Sequence, residues 1–236
     1  MRHIAVWAYI DYYCKDFFWG IGDYFMIRVL IVDDDHLIRQ GITRLLGDMD
    51  EFEIAGTCSS GEEALEFISG NKVDIVLLDL NMPGWGGLET TRRLHAKKRK
   101  LKIIIVTVSK SNSLPKQLFK AGAMGYLTKG CDVDEMARAI KEAHCGRKYI
   151  SVEIAQGMAV NLHSEEVNVF ERLSQREMQV LMMILQGSKS HFIAENLSLS
   201  PKTISTYRAR ILEKLQVKGD MDLTRLAIHY NLIEPL

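Results

Sequence analysis

The chain has 236 residues, with 30 acidic and 30 basic side chains that cancel, and 47% of its residues are hydrophobic. That length holds one large domain or two small ones, and the apolar share is that of an ordinary soluble globular protein. Zero net charge excludes a bulk attraction to nucleic acid or membrane, and no apolar run reaches the ~18 residues that a membrane span needs.

Residues 1–25 hold nine aromatic side chains interspersed with Asp11, Lys15, Asp16 and Asp23. They lack the clean apolar stretch and small-residue cleavage site of a secretory signal. Met26 directly precedes the first convincing strand, so 1–25 is expected to be a non-native extension, the alternatives being a short interaction tail or an interfacial anchor. From Ile27 short apolar runs alternate with amphipathic stretches. Strands are expected at Ile27–Val32, Glu53–Thr57, Val73–Leu78, Ile103–Val106 and Met124–Leu127. Helices are expected around Ile38–Leu45, Gly61–Ser69, Leu88–Ala96, 115–121 and Asp134–His144. Five strand-then-helix units imply an α/β domain over 26–145, a five-stranded, doubly wound parallel sheet with helices on both faces.

Residues 146–172 read as a linker, with one short helix possible at Ser151–Leu162 and an aperiodic polar stretch at His163–Glu171. A second, all-α domain follows over 173–232. Ser174-Gln-Arg-Glu177 is a capping box that opens a helix running to Gln186 and stopped by Gly187. A second helix is expected over Ser190–Leu197. Ser200-Pro201 starts a third, reaching Leu215, and Asp220 is placed to cap a fourth through Tyr230. Helix two, a turn at Ser198–Ser200 and helix three form a helix-turn-helix, with its motif at about residues 190–209.

The four cysteines, Cys14, Cys58, Cys131 and Cys145, show no C-x-x-C spacing and no accompanying histidine cluster. A disulfide framework or zinc site is not expected, and a reducing, cytoplasmic setting is.

In an open parallel sheet, ligands bind at the carboxyl ends of the strands. Those ends carry Asp33 and Asp34 after strand one, Asp79 after strand three, Thr107 after strand four and Lys129 just past strand five. Three carboxylates in one mouth repel unless a hard cation offsets them. Mg²⁺ suits, because it accepts one or two carboxylates together with phosphate oxygens. An ammonium and a hydroxyl beside it can hold further phosphoryl oxygens, and the central acid can act as a carboxylate nucleophile. Asp35, followed by His36, is left outside this site. Lys97-Lys-Arg-Lys100 is read as a helix C-terminus that favours cations.

The set Val32-Asp-Asp34, Asp79-Leu-Asn-Met-Pro-Gly84, Val106-Thr107 and Gly125-Tyr-Leu-Thr-Lys129 resembles the CheY-like receiver domain of two-component response regulators. The resemblance implies that Asp79 is the phosphoacceptor. It implies that Asp34, Asp79 and the backbone carbonyl of Asn81 bind Mg²⁺, with Asp33 acting through water. Thr107 and Lys129 would contact the phosphoryl group, and Tyr126 would turn inward as Thr107 moves. The partner implied is a sensor histidine kinase. Trp85 stands where relatives often carry a smaller residue, and is expected to alter the loop over the phosphate site.

Residues 200–218 hold Lys202, Arg208, Arg210, Lys214 and Lys218 against one acid, Glu213. With helix three drawn at 100° per residue from Ile204, Ile211, Leu212 and Leu215 fall on a core stripe. Lys202, Thr206, Ala209 and Arg210 fall within about 60° of the opposite side. Small residues there let a helix sit in the major groove while long cations reach phosphates. Thr206 and Ala209 are the candidate base readers. Lys202, Arg210 and Lys214 are candidate phosphate contacts. Thr203, Ser205 and Arg208 flank them.

Leu173-Ser-x-Arg-Glu177, Gly187, Ile193-Ala194 and Leu199-Ser-Pro-Lys-Thr-Ile204 resemble the LuxR-type DNA-binding domain. Receiver plus this domain is the NarL/FixJ class. Gly84–Arg92 and Ser198–Thr203 look most like its GacA/UvrY/LetA group. The resemblance implies a regulator, chiefly an activator, that binds double-stranded promoter DNA as a homodimer when phosphorylated, with RNA polymerase as a further partner. It implies small regulatory RNAs as products of the target promoters, and docking of the unphosphorylated receiver against the DNA-binding half, relieved by phosphorylation.

An aspartyl phosphatase of the haloacid-dehalogenase type would need a general acid two residues past the nucleophile. Asn81 occupies that place and cannot serve, so the chain is not expected to be an enzyme. A second alternative is a repressor or architectural protein, since the sequence does not set the sign of regulation, and a third is a pseudo-receiver whose DNA-binding half works without phosphorylation. The intact set Asp34, Asp79 and Lys129 argues against it.

Overall fold

The computed structural model describes residues 26–108, 114–161, 169–230 and 232–233. The expectation for 1–25, and most of the polar stretch expected at 163–171, lie outside them.

The N-terminal half is one parallel sheet. Its strands are β1 (Ile27–Val32), β2 (Phe52–Cys58), β3 (Ile75–Asp79), β4 (Lys102–Thr107), β5 (Gly125–Thr128) and β6 (Tyr149–Ile150), in the order β2-β1-β3-β4-β5-β6. The helices between them are α1 (His36–Gly47), α2 (Gly61–Gly70), α3 (Gly86–Lys97), α4 (Leu114–Ala121) and α5 (Val133–His144). The period of two along each strand splits its side chains between two cores. Leu30, Val76, Leu78, Ile103 and Ile105 face α2, α3 and α4, whereas Val29, Ile31, Ile75, Leu77 and Ile104 face α1 and α5. β3 is buried throughout because both its faces are covered, as expected of a central parallel strand.

The sheet has six strands, not five. The sixth is two residues long, too short for any periodic signal. It forms because the chain reverses at Gly146, whose φ is +80°. Tyr149 and Ser151 then donate their backbone N–H groups to the Met124 and Tyr126 carbonyls. The stretch expected to be linker thus starts as an edge strand and continues into α6 (Val152–Asn161).

The C-terminal half is helical. A 3-10 turn at Val169–Arg172 leads to α7 (Gln175–Leu185), α8 (Ser190–Leu197), α9 (Pro201–Leu215) and α10 (Asp220–His229). The capping box at Ser174 and Glu177 forms, and Ser200 caps α9 ahead of Pro201. Asp220 does not cap α10. It is the helix's first residue, Gly219 holds the cap position, and the Asp220 carboxylate pairs with Arg208 at 2.7 Å. No helix among the described residues is long and apolar enough to cross a membrane.

The halves pack against each other. Leu80, Met82 and Leu88 belong to one apolar core with Met178, Met182 and Ile193 of the helical half.

Candidate functional site

The strand order reverses between β1 and β3, and the loops leaving their carboxyl ends form a mouth. Asp33, Asp34 and Asp79 meet there, with one carboxylate oxygen from each lying within 4.8 Å of the others. Asp33 and Asp79 are buried, and Asp34 is exposed at the rim. Lys129 enters from the end of β5, its Nζ 2.7 Å from Asp33 and 3.3 Å from Asp79. Thr107 and Tyr126 line the same end of the sheet and are fully buried, so the Tyr126 ring is turned inward. Asp35 has a structural task, since its carboxylate accepts from the Leu37 and Ile38 N–H groups and caps α1.

The β3–α3 loop comes close to the strand it leaves. A Cβ at Gly87 would sit 2.6 Å from the Leu80 Cα and 2.7 Å from the Asp79 carbonyl oxygen, so glycine is required there. This close approach keeps Asp79 at the floor of the mouth.

Burial pushes the Asp79 carboxyl up to about 6; Lys129 draws it down and Asp33 pushes it further up. For Lys129, burial works against the ammonium, but the Asp33 hydrogen bond and the Asp79 charge outweigh it and raise its pKa. Burial, with the Asp79 charge added, also raises the Tyr126 phenol. Asp79 Oδ1 is buried and has no hydrogen-bond partner among the described residues. A buried polar atom without a partner costs about 1–3 kcal/mol or more. It is an oxygen that a cation can satisfy, and an all-oxygen acidic set suits a hard divalent cation. Among the buried and half-buried thiols, burial pushes Cys58 up to about 12 and Cys131 up to about 11.

The second candidate surface is α9. Ile204, Ile211 and Leu215 are buried, while Lys202, Ser205, Thr206, Ala209 and Arg210 are exposed and Thr203 is half-buried. Two of the cations have partners within the helical half. Arg208 pairs with Asp220, and Lys214 pairs with Glu177 at 2.7 Å while also reaching the Arg172 carbonyl. Lys214 would have to leave Glu177 to reach a phosphate. The wheel carries a sign of this, for Lys214 lies only about 80° from Ile204, on the flank of the core stripe.

Lys97 and Lys98 also serve structure, donating to the carbonyls of Leu65, Ile68 and Asn71 at the end of α2. Trp85 lies in the β3–α3 loop and contacts the helical half. Its indole N–H donates to the Asn196 Oδ1 of α8 at 2.6 Å, and the Arg93 guanidinium stacks on its ring. Glu89, Gln179 and Gln186 join the same seam, and nothing in the sequence pattern singled them out. Their signal is a polar side chain, Glu89, that is almost wholly buried in the first turn of an amphipathic helix.

A parallel α/β domain with an acidic, lysine-bearing mouth, joined to a helix-turn-helix, defines a receiver coupled to a DNA-binding module. Residues 29–141 match the family described as response regulator receiver domain, and residues 171–227 match the bacterial regulatory proteins of the luxR family. The chain belongs to the two-component response regulators with a LuxR-type DNA-binding domain. It is 44% identical to response regulator GacA of Pseudomonas viridiflava over 211 residues, covering 89% of this chain and 99% of that protein. It is likewise 44% identical to response regulator UvrY of Escherichia coli K12 over 209 residues, 88% of this chain and 96% of that one. Among solved structures, RcsB of Salmonella enterica serovar Typhimurium, bound to promoter rprA in the presence of phosphomimetic BeF3⁻, superposes with a TM-score of 0.70 at 20% identity, over 85% of this chain and 98% of that one. A LuxR-family two-component response regulator from Aurantimonas sp. superposes with a TM-score of 0.57 at 32% identity, over 59% of this chain and 99% of that one.

Proposed function

We propose that Asp79 accepts a phosphoryl group from a sensor histidine kinase and that the phosphorylated chain binds promoter DNA as a homodimer to regulate transcription. The observation that carries this is the buried, unpartnered Asp79 Oδ1 at the centre of the acidic mouth. Mg²⁺ would be held by Asp34, Asp79 and the Asn81 carbonyl, with Asp33 through water, and when bound it offsets the carboxylate charge against the incoming phosphoryl oxygens. Asp79 attacks phosphorus, the bond to the donor nitrogen breaks, and the imidazole leaves with a proton. Lys129 exchanges Asp33 for a phosphoryl oxygen, and the Thr107 hydroxyl donates to another. Tyr126 is the aromatic coupled to that movement of Thr107.

On the DNA side, Thr206 and Ala209 face base edges, with Thr203 and Ser205 beside them. Lys202 and Arg210 reach phosphates; Arg208 and Lys214 are lesser contacts, because each already has an acidic partner. One recognition helix reads too few base pairs to find a site in a genome, and two on an inverted repeat suffice. RNA polymerase is the further partner at such a promoter, and promoters of small regulatory RNAs are the targets suggested by the resemblance to the GacA/UvrY/LetA group. The test is labelling of the full chain by acetyl phosphate with Mg²⁺. Asp79→Asn is expected to abolish it, and full labelling of that variant overturns the assignment.

A further inference from the structure

The pole of the receiver opposite the acidic mouth is basic. The mouth opens at the carboxyl ends of the strands, and a cleft of about 440 Å³ opens at their amino ends. The length of β3 separates the two, five residues at about 3.3 Å each, or roughly 16 Å. The cleft lies where Val73 and Asp74 lead into β3, where the α3–β4 loop runs from Lys98 into Lys102, and where α5 ends at His144.

The cations at this pole are not all used by the fold. Of the run Lys97-Lys-Arg-Lys100, Lys97 and Lys98 serve the end of α2 by donating to its carbonyls. Arg99 and Lys100 are exposed and Lys102 is half-buried, and none of the three has a side-chain hydrogen bond or ion pair among the described residues. Asp74 does not offset them, because its two carboxylate oxygens accept from Arg28 Nε at 2.9 Å and from Arg28 Nη2 at 3.0 Å. Burial works against that carboxylate, yet Arg28 keeps it below its ordinary pKa range, so the pair is self-contained. Helices α3 and α5 end at this pole, and each C-terminus carries about half a negative charge. Three fixed cations exceed those two ends by about two charges. Lys98 and His144 stand beside them.

An excess of positive charge around a recess suits a small polyanion. Small-molecule sites run to about 300–1,000 Å³, and this cleft falls in that range, whereas the convex backbone of a duplex does not enter such a recess. The lining also has two kinds of surface. A guanidinium pairs with phosphate bidentately and stacks on planar rings, and an ammonium meets phosphate as a point charge. Val73 and the buried Leu101 put apolar surface next to those cations.

We propose that this cleft binds a nucleoside di- or triphosphate, with Arg99, Lys100 and Lys102 on the phosphates and the base against Val73 and Leu101. The ligand ties the α3–β4 loop to the end of α5 and thereby stabilises the receiver. The site stands apart from the phosphorylation and DNA-binding reading, since it uses none of the residues of the mouth or of α9.

The test uses the full chain in metal-free buffer at low ionic strength, where the carboxylates of the mouth repel an anion. ATP is titrated by calorimetry, and the thermal midpoint is followed over the same concentrations. Wild type should bind ATP with a midpoint that rises with the logarithm of its concentration. Affinity should fall in the order ATP, ADP, AMP, and should fall with added salt. Arg99→Gln and Lys100→Gln remove unpartnered cations and should leave the ligand-free midpoint unchanged. Each should weaken ATP by about three- to tenfold, the lower end reflecting exposure to solvent. Lys100→Arg keeps the charge and should bind ATP as wild type does. Lys202→Gln should also bind ATP as wild type does, because α9 is not the site.

Unchanged ATP affinity in the combined Arg99→Gln, Lys100→Gln variant overturns the proposal. Inorganic tripolyphosphate binding as tightly as ATP overturns it too, since the apolar lining then plays no part. So does a wild type that ignores ATP while the combined variant loses affinity for random duplex DNA, which makes the pole a DNA contact. Failure of the chain to be labelled by acetyl phosphate would count against the phosphoacceptor reading and leave this site standing.

Discussion

Lys129 lies nearer to Asp33, at 2.7 Å, than to Asp79, at 3.3 Å. The ammonium therefore bridges two carboxylates and is not committed to Asp79 alone. On the proposed reading, its transfer to a phosphoryl oxygen would cost one ion pair and make another. Lys129→Ala should still be labelled by acetyl phosphate, because attack needs Asp79. The labelled variant should fail to activate a reporter, since nothing then follows the phosphoryl charge. Normal activation by Lys129→Ala would remove Lys129 from the switch.

Asp79 makes stability depend on pH. Its folded pKa of about 6 lies above the ordinary carboxylate value of 3.8, so between those limits the folded state binds more protons than the unfolded one. Stability from this group is full below about pH 4 and is lost as pH rises through about 6. At one pKa unit per 1.36 kcal/mol, ionising Asp79 in metal-free protein costs about 2–3 kcal/mol at neutral pH. Asp79→Asn should therefore raise the thermal midpoint of metal-free protein at pH 7.5 and give no such gain at pH 4. An equal gain at both values would show that burial of the charge is not the cause.

The mouth's charge also sets the effect of metal. Adding Mg²⁺ should raise the thermal midpoint of the wild type, by an amount that grows with the logarithm of its concentration. Asp34→Asn should weaken that rise, and Asp79→Asn should weaken it further. Chelation should stop labelling by acetyl phosphate altogether. Labelling that persists in chelator would show that Lys129 alone offsets the carboxylates.

How far the sequence disclosed this molecule follows from the range of each contact. Asp33, Asp79, Thr107 and Lys129 could be gathered in advance, because a parallel sheet puts the carboxyl ends of its strands at one edge whatever lies between them. The capping box at Ser174 and Glu177 was equally plain, being local. The two-residue strand β6 is below the length at which alternation carries information. The Trp85–Asn196 bond joins residues 111 apart, and neither side chain belongs to a periodic pattern that would point across a domain boundary. Glu89 is harder still, since a charged residue in an amphipathic helix ordinarily marks the wet face, and here a second domain covers it. Asp220 followed the capping rule in sequence, and Arg208, twelve positions earlier, drew its carboxylate elsewhere.

The exposed cations of α9 should divide according to whether they already have a partner. Lys202 has no ion-pair partner among the described residues and lies at the open N-terminal end of the helix, so it is free to meet a phosphate. Lys202→Ala should lower affinity for specific and random DNA about equally and reduce the log–log salt slope by about one. Lys214 is different. Its Nζ holds Glu177, whose side chain is 4% exposed, at 2.7 Å. Burial works against that carboxylate, yet Lys214 and Ser174 keep it below its ordinary pKa range. Lys214→Ala should therefore cost the folded domain about 1 kcal/mol, discounted because Lys214 is itself partly exposed, and should leave the salt slope nearly unchanged. Thr206 is short and outward. Its hydroxyl donates to the Lys202 carbonyl at 3.0 Å, which leaves its methyl and remaining lone pairs for a base edge. Thr206→Ala should cost about 1–3 kcal/mol at a specific site and little on random DNA. Competition binding at two salt concentrations, with thermal melts of the same samples, separates the three roles. A full unit of salt slope lost in Lys214→Ala, with no change in its melting, would show that the pair with Glu177 opens on DNA and that Lys214 is an anchor after all.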